Sequence, residues 1–435
     1  MPGKYHLWIS GCQMNDSDAQ RLAGSLEAAG MTPAEGFEDA DIAVLYTCSV
    51  RQSAENRVQG QLGHLKSLKT RRPDMVLCVT GCMAGADQAE LRGRYPFVDL
   101  FVAPTDMDRL PGRLLSSSGL EGSCVPELSE YTTRVPVSAG VTVIRGCDKY
   151  CTYCIVPYRR GPQVSRGEEE IESEVQSLLR RGAREIILLG QTVDAWGRDL
   201  TPPRPFSGLL RSVARLPGLT RLRFLTSHPD DLTPDIVEAI SELPQLCEEL
   251  NLPIQSGDDT ILRRMARPYR VGEYMALLGR IRDAIPDIAL STDVIVGFPG
   301  ETAEQFENTM RALRDVEFDV VHVAAYSPRP GTAAARKMTD DVPAVEKKRR
   351  LQEVEELQTA IATRKNSRLV GTTVEVLVEK REKGKWSGRT RSNRLVFFES
   401  DSELTGQLVN VTVERSGPWS LQGTWREYSP LTLPR

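Results

Sequence analysis

The stretch Val143–Gly161, "VIRGCDKYCTYCIVPYRRG", sets Cys147, Cys151 and Cys154 in the spacing C-x3-C-x2-C immediately behind an apolar run that begins at Val141. The run reads as a strand and the cysteines as the loop that leaves its C-terminal end. Thiolates suit iron–sulfur clusters and zinc alike, and a complete site of either kind usually takes four ligands. Three thiolates on a cubane leave one iron open, and an open iron at a barrel mouth can chelate a substrate's amino and carboxylate groups. A zinc completed by a distant residue such as His228 or Cys247 is the alternative that spacing alone leaves standing.

Working outward from that loop, strand-like runs recur as "EIILLGQ", "RLRFLTSH", "ELNLPIQSG", "IALSTDVIVGFPG" and "VVHVAAYSPRPG", each followed by a helix-like segment. Six β/α units predict a partial (β/α)6 barrel over 133–366, with function on the loops at the strand C-terminal ends. Ahead of it, "YHLWIS", "DIAVLYT" and "MVLCVTG" alternate with helical patterns and predict an open parallel α/β sheet domain over 1–118. The Ser/Gly-rich, acidic residues 119–132 read as a linker. Behind the barrel, "TTVEVLVEK", "NRLVFFES" and "QLVNVTVERSG" alternate without helices between them, which predicts a small antiparallel β-barrel over 367–432.

The first domain repeats one context three times: "ISGCQMN" at Cys12, "LYTCSVR" at Cys48 and "VTGCMAG" at Cys82. Each cysteine stands one step past an apolar run. In a parallel sheet all strand C-termini lie along one edge, so the three thiols are expected to converge as a second three-thiolate site. Gly11 and Gly81, before two of them, are expected to let the backbone approach a bulky ligand. Cys78 inside "MVLCV" reads as core, and no role falls to Cys124 or Cys247.

The chain has 435 residues, nine cysteines and a net charge of −4. An odd cysteine count with two clustered sets argues for metal ligands in a reducing compartment rather than a disulfide framework. No apolar run approaches a membrane span and no leader pattern opens the sequence, so a cytoplasmic chain without membrane association is expected. The acidic balance places any nucleic-acid contact on local basic patches.

C-x3-C-x2-C on a first β/α loop resembles the radical S-adenosylmethionine (SAM) superfamily. Three strand-end cysteines ahead and a β-barrel behind resemble its methylthiotransferases over essentially the whole chain. "GCQMN", "TCSVRQSAENR", "GCDKYCTYCIVPYRRGPQVSR", "TSHP", "LPIQSG", "VGFPGET" and "YSPRPGT" are most similar to the branch that methylthiolates N6-isopentenyladenosine beside the tRNA anticodon. Three positions depart from that pattern: Tyr46 stands where Asn is expected, Asn251 where His is expected, and "LGQTVDAWG" replaces "LGQNVNSYG".

The resemblance implies two [4Fe–4S] clusters, one on Cys147, Cys151 and Cys154 with SAM on its open iron, and one on Cys12, Cys48 and Cys82 carrying sulfur. It implies that reductive SAM cleavage yields a 5′-deoxyadenosyl radical that takes hydrogen from C2 of the adenine, and that a second SAM supplies the methyl group. Gly190, Gln191, Gln255, Ser256 and Asp293, at strand ends, are expected in the SAM pocket. The partners implied are a tRNA anticodon stem-loop, an electron donor such as flavodoxin or ferredoxin, and a sulfur or Fe–S carrier, with the chain a monomer. Arg159 and Arg160 are expected to meet the anticodon loop or the SAM carboxylate. The C-terminal barrel resembles the TRAM RNA-binding module, and Lys380–Arg394, "KREKGKWSGRTRSNR", holds seven basic residues against one acidic. Lys385, Trp386, Arg389, Arg391, Asn393 and Arg394 are its expected tRNA contacts, basic side chains for phosphates and the indole for stacking a base. Alternative readings are the same chemistry on threonylcarbamoyl-adenosine or on a ribosomal-protein aspartate, and a non-catalytic, zinc-holding RNA-binding protein.

Overall fold

The computed structural model describes residues 3–49, 52–119 and 135–426. Apart from Gly119, the expected linker lies outside the described residues, as do Cys124 and the last residues of the expected C-terminal unit.

The first unit is a parallel five-stranded sheet of β1 (Lys4–Ile9), β2 (Thr32–Pro33), β3 (Ile42–Thr47), β4 (Val76–Gly81) and β5 (Leu100–Val102), in the order β2-β1-β3-β4-β5. β3 and β4 are buried at every position, as expected of central parallel strands covered on both faces. Their side chains alternate between two cores. Val44, Tyr46 and Cys78 pack with Leu22 and Leu26 of α1 (Gln13–Ala28), while Leu45, Leu77 and Val79 pack with Val58, Leu62 and Leu65 of α2 (Gln52–Arg71). Cys78 is core, as its context suggests. The short strands β2 and β5 carry too little pattern to be read from sequence. Their presence places the reversal of strand order between β1 and β3, where doubly wound sheets bind ligands.

The central unit has the six expected strands: β6 (Ser138–Thr142), then β9 (Glu185–Leu189), β10 (Arg221–Phe224), β11 (Glu249–Asn251), β12 (Ala289–Val296) and β13 (Val320–Ala325). They form two parallel three-stranded sheets, β10-β9-β6 and β11-β12-β13. A bridge between Leu222 and Leu246 joins these into one curved wall, an open barrel with β6 and β13 at its edges. Between β6 and β9, a ribbon of β7 (Ile144–Arg145) and β8 (Val164–Ser165) closes off the cysteine loop. The helix Ala344–Ser367 packs along β13, where Gln358 donates to the carbonyls of Phe318 and Asp319.

The C-terminal unit is a closed barrel of β14 (Thr373–Glu382), β15 (Lys385–Arg389), β16 (Leu395–Phe398), β17 (Leu408–Ser416) and β18 (Leu421–Arg426), in the order β14-β15-β16-β18-β17. One pair, β16 with β18, is parallel, so the barrel is not wholly antiparallel as expected. Trp386 is 1% exposed in its core beside Val396 and Phe398, and its indole donates to the Ser400 carbonyl. The expected stacking role is thereby corrected: strand alternation turns this ring inward.

The barrel seats on the strand-start end of the central unit. Arg223 donates to Glu185 at 2.8 Å and to the carbonyls of Arg391 and Thr390 at 2.7 Å each, while Arg221 reaches the Arg389 carbonyl at 2.6 Å. Arg391 pairs with Glu248, Asn393 with Glu249 and Arg394 with Asp319. At the other end, the first unit docks through Ser17, whose hydroxyl donates to the Gly140 carbonyl of β6, and through an ion pair of 2.8 Å between Glu55 and Arg329.

Candidate active site

Gly146 turns the chain into the cysteine loop with φ +74, where a Cβ would stand 1.9 Å from the Pro162 carbonyl oxygen, so no other residue fits there. Thr152 fastens the loop across the barrel mouth: its amide donates to Met265 O, its hydroxyl to Arg264 O, and its carbonyl accepts from Ala334. Each thiol has distinct neighbours. The Thr192 hydroxyl lies 3.2 Å from the Cys147 sulfur, and the buried Arg267 guanidinium points an Nη1 at Cys151 from 3.6 Å. Burial raises the pKa of the Cys147 thiol, opposed by the Thr192 contact.

The second trio forms on the facing edge. Cys48 and Cys82 directly follow β3 and β4, and Cys12 follows the adjacent β1 after Ser10 and Gly11. A Cβ on Gly11 would stand 2.6 Å from the Cys48 Cβ, and one on Gly81 would stand 2.3 Å from Thr47 O. These glycines therefore admit a neighbouring strand end, not a bulky ligand as expected. Asn15 ties β1 to β3 by donating to the carbonyls of Ser10 and Thr47.

All six cysteines line one cavity of about 880 Å³, at the upper end of the size of ligand pockets. Gly190, Gln191, Gln255 and Asp293 line it as well. Ser256 does not: it is fully buried, with its hydroxyl against Thr309, and the expectation of a pocket contact is corrected. Gln191 turns its amide toward Met14, and its Oε1 is buried without a partner. Asn251, at one of the departures from the motif pattern, donates to Asp293 at 3.2 Å, and so orients that carboxylate. Tyr46, at another, is a core residue whose hydroxyl donates to the Asp18 carbonyl.

Lys149 in the cavity wall and Asp194 behind it escaped the sequence reading, and His228, Arg159 and Arg160 take surroundings it did not foresee. Lys149 is held by Asp230 and Asp231, at 3.0 and 2.8 Å. His228 is buried, and desolvation with the nearby cations Arg267, Lys149 and Arg198 brings its imidazole pKa down to about 2. Its Nδ1 accepts from the Asp230 amide and its Nε2 has no partner among the described residues. Asp194 accepts from the His228 amide, and burial beside Asp231 brings its carboxyl up to about 8. Arg160 turns inward to the second trio, so the expected contact with an anticodon loop or a SAM carboxylate is corrected; Arg159 is partly buried and its Nε has no partner.

The donor sets fit clusters better than zinc. Neither proposed fourth ligand completes the first trio as a single-ion site. Cys247 is buried at the strand-start end among Arg223, Glu185 and Arg391, and among the described residues no three His, Cys, Asp or Glu side chains gather about one ion.

Three families match in succession: the uncharacterized protein family UPF0004 over residues 4–103, the Radical SAM superfamily over 141–313 and the TRAM domain over 367–425. A curated relative from Dehalococcoides mccartyi, named tRNA-2-methylthio-N(6)-dimethylallyladenosine synthase, is 47% identical over 97% of this chain and 98% of its own. One of the same name from Roseiflexus sp. is 47% identical over 97% of this chain and 89% of its own. The chain belongs to the tRNA-2-methylthio-N(6)-dimethylallyladenosine synthase family of radical SAM proteins.

The radical SAM match runs from the end of β6 past β12 and takes in the cysteine loop, and that superfamily implies SAM and a [4Fe–4S] cluster. Among solved structures, the radical SAM methyltransferase TsrM from Kitasatospora setae superposes with a TM-score of 0.57 at 13% identity, over 76% of this chain and 75% of its own, a likeness of fold. Among the described residues no helix is long and apolar enough to cross a membrane.

Proposed function

We propose that the chain is a radical SAM methylthiotransferase that places a methylthio group on C2 of N6-isopentenyladenosine next to the tRNA anticodon. The observation that carries this reading is the single cavity lined by two cysteine trios from two domains. Cys147, Cys151 and Cys154 would hold a [4Fe–4S] cluster that binds SAM, and Cys12, Cys48 and Cys82 a second one. When bound, these groups supply reductive cleavage of SAM and a sulfur to transfer, with a second SAM supplying the methyl group.

The chain's own residues then position and enclose. The Thr192 hydroxyl and the Arg267 guanidinium fix the sulfurs of Cys147 and Cys151 and offset their charge. Asp293, oriented by Asn251, is a hydrogen-bond acceptor inside the cavity, with Gly190, Gln191 and Gln255 on adjoining walls, and together they form the SAM pocket of this reading. The first domain closes over the mouth through Ser17 and Glu55, which excludes water from the reacting atoms. RNA would be gripped by the exposed hairpin tip of the C-terminal barrel, with Lys380, Arg381, Lys383 and Lys385, because Arg391, Asn393 and Arg394 are spent on docking that barrel. An electron donor such as flavodoxin or ferredoxin, a sulfur or Fe–S carrier, and a monomeric chain complete the proposal.

Nucleoside mass spectrometry of tRNA from cells lacking the chain tests the substrate. Loss of 2-methylthio-N6-isopentenyladenosine with accumulation of its unthiolated precursor, reversed on re-expression, is expected. Persistence of that nucleoside with loss of the threonylcarbamoyl counterpart would contradict it.

A further inference from the structure

Arg160 is the last residue of the short helix Val156–Arg160 that follows Cys154, so it is carried by the loop of the first trio. Its side chain nevertheless reaches the second. Nε donates to the Cys82 sulfur at 3.3 Å, Nη2 to Asn15 Oδ1 at 2.9 Å with Cys12 at 4.0 Å, and Nη1 lies 3.9 Å from the Met14 sulfur. Asn15 is the residue that ties β1 to β3.

Arg160 is only 6% exposed, and its guanidinium stays charged at any pH a protein survives. A buried charge needs a counter-charge. The neutral amide of Asn15 supplies none, and Asp18, a carboxylate that acts on it less than Cys82 and Cys12 do, is shared with Arg145 at 3.8 Å. Cys82 and Cys12, as metal-bound thiolates, are the anions within reach. Arg267 stands in the corresponding relation to Cys151 of the first trio, but it comes from the barrel wall and bonds the Pro253 carbonyl and the Tyr269 hydroxyl. Arg160 thus links the first trio's loop to the second trio's ligands by hydrogen bonding.

We propose that Arg160 is a positioning residue for the second cluster: it fixes Cys82 by a charge-assisted hydrogen bond and raises that cluster's reduction potential without acting on the first. The inference rests on the two-cluster reading. Hydrogen bonds and net charge at the sulfurs are among the factors that set cluster potentials, and a cation favours the reduced, more negative state. Removing it lowers the potential.

EPR-monitored redox titration of reconstituted protein tests this, with each cluster isolated in turn by Cys151→Ala or Cys82→Ala. Arg160→Gln is expected to lower the potential of the cluster on Cys12, Cys48 and Cys82 by at least a tenfold change in its reduction equilibrium, about 59 mV for one electron. The other cluster should not move, and Arg160→Lys should recover at least half of the shift. An unchanged second potential, or equal shifts in both clusters, would overturn the proposal. If Arg160→Gln loses iron from the second site alone, the Lys variant decides: restored iron supports the proposal and unrestored iron overturns it. A Cys151→Ala protein that holds no cluster with Arg160 intact would instead refute the two-cluster reading itself.

Discussion

At the scale of single residues, Asp194, buried just behind the cavity wall at His228, shows how the interior departs from solution chemistry. Its Oδ2 accepts from the His228 amide, while Oδ1 is buried without a partner, and burial holds the carboxyl up to about 8. The unfolded carboxyl titrates near 3.9, so its contribution to stability is fully present below about pH 4 and is lost as pH rises through about 8. Asp194→Asn keeps an oxygen for His228 and removes the charge. Thermal unfolding of cluster-loaded protein should therefore show the variant gaining stability over the parent with rising pH, of the order of a few kcal/mol by pH 9. Parallel profiles for the two proteins would show that the aspartate is not kept neutral. The partners of this residue and of Arg160 were opaque in the sequence for one reason: tertiary packing, and not local pattern, decides which groups bury an acidic or basic side chain.

At the scale of elements, the segment "GRTRSNR" carries the main lesson. Its density of cationic side chains reads as an RNA-binding stripe, yet the carboxylates that claim it come from other strands and turns: Glu248, Glu249 and Asp319 accept Arg391, Asn393 and Arg394. Arg223, 4% exposed between Glu185 and Glu249, is the centre of that junction. Arg223→Ala leaves the buried Glu185 and the partly buried Glu249 without the cation they share and is expected to cost about 3–5 kcal/mol, read as a lower unfolding midpoint and as proteolysis between the barrels. A midpoint equal to the parent's would remove the junction from the account. The hairpin tip behaves differently. Lys383 and Lys385 are exposed, and the partner of Lys385, Glu399 at 3.5 Å, is itself exposed. Lys383→Glu with Lys385→Glu should leave the unfolding midpoint unchanged, weaken tRNA binding across sequences, and reduce the slope of log affinity against log salt by about 1 per lost phosphate contact. Unaltered binding would move the RNA contact to another face.

At the scale of the whole molecule, the architecture was legible because it rests on periodicity and on repeated strand-end contexts. Cys48 and Cys82 stand one step past their strands and Cys12 just beyond Ser10 and Gly11, and parallel pairing of β1, β3 and β4 then brings them onto one edge. The six barrel strands follow from the same pattern, and the cysteine loop from its position behind the first of them. The direction in which Trp386 points and the way the two end domains seat on opposite mouths of the barrel depend on contacts between distant segments, to which local pattern is blind. That seating puts both trios in one cavity and gives the account its central claim: one shared chamber with divided labour. The most direct measurement compares Cys151→Ala and Cys82→Ala proteins, reconstituted and reduced anaerobically with SAM and an anticodon stem-loop bearing N6-isopentenyladenosine, by quantifying 5′-deoxyadenosine and methylthiolated RNA. The account predicts neither product from Cys151→Ala, and uncoupled 5′-deoxyadenosine without methylthiolated RNA from Cys82→Ala. Equal SAM cleavage by the two variants, or methylthiolated RNA from Cys82→Ala, would contradict it.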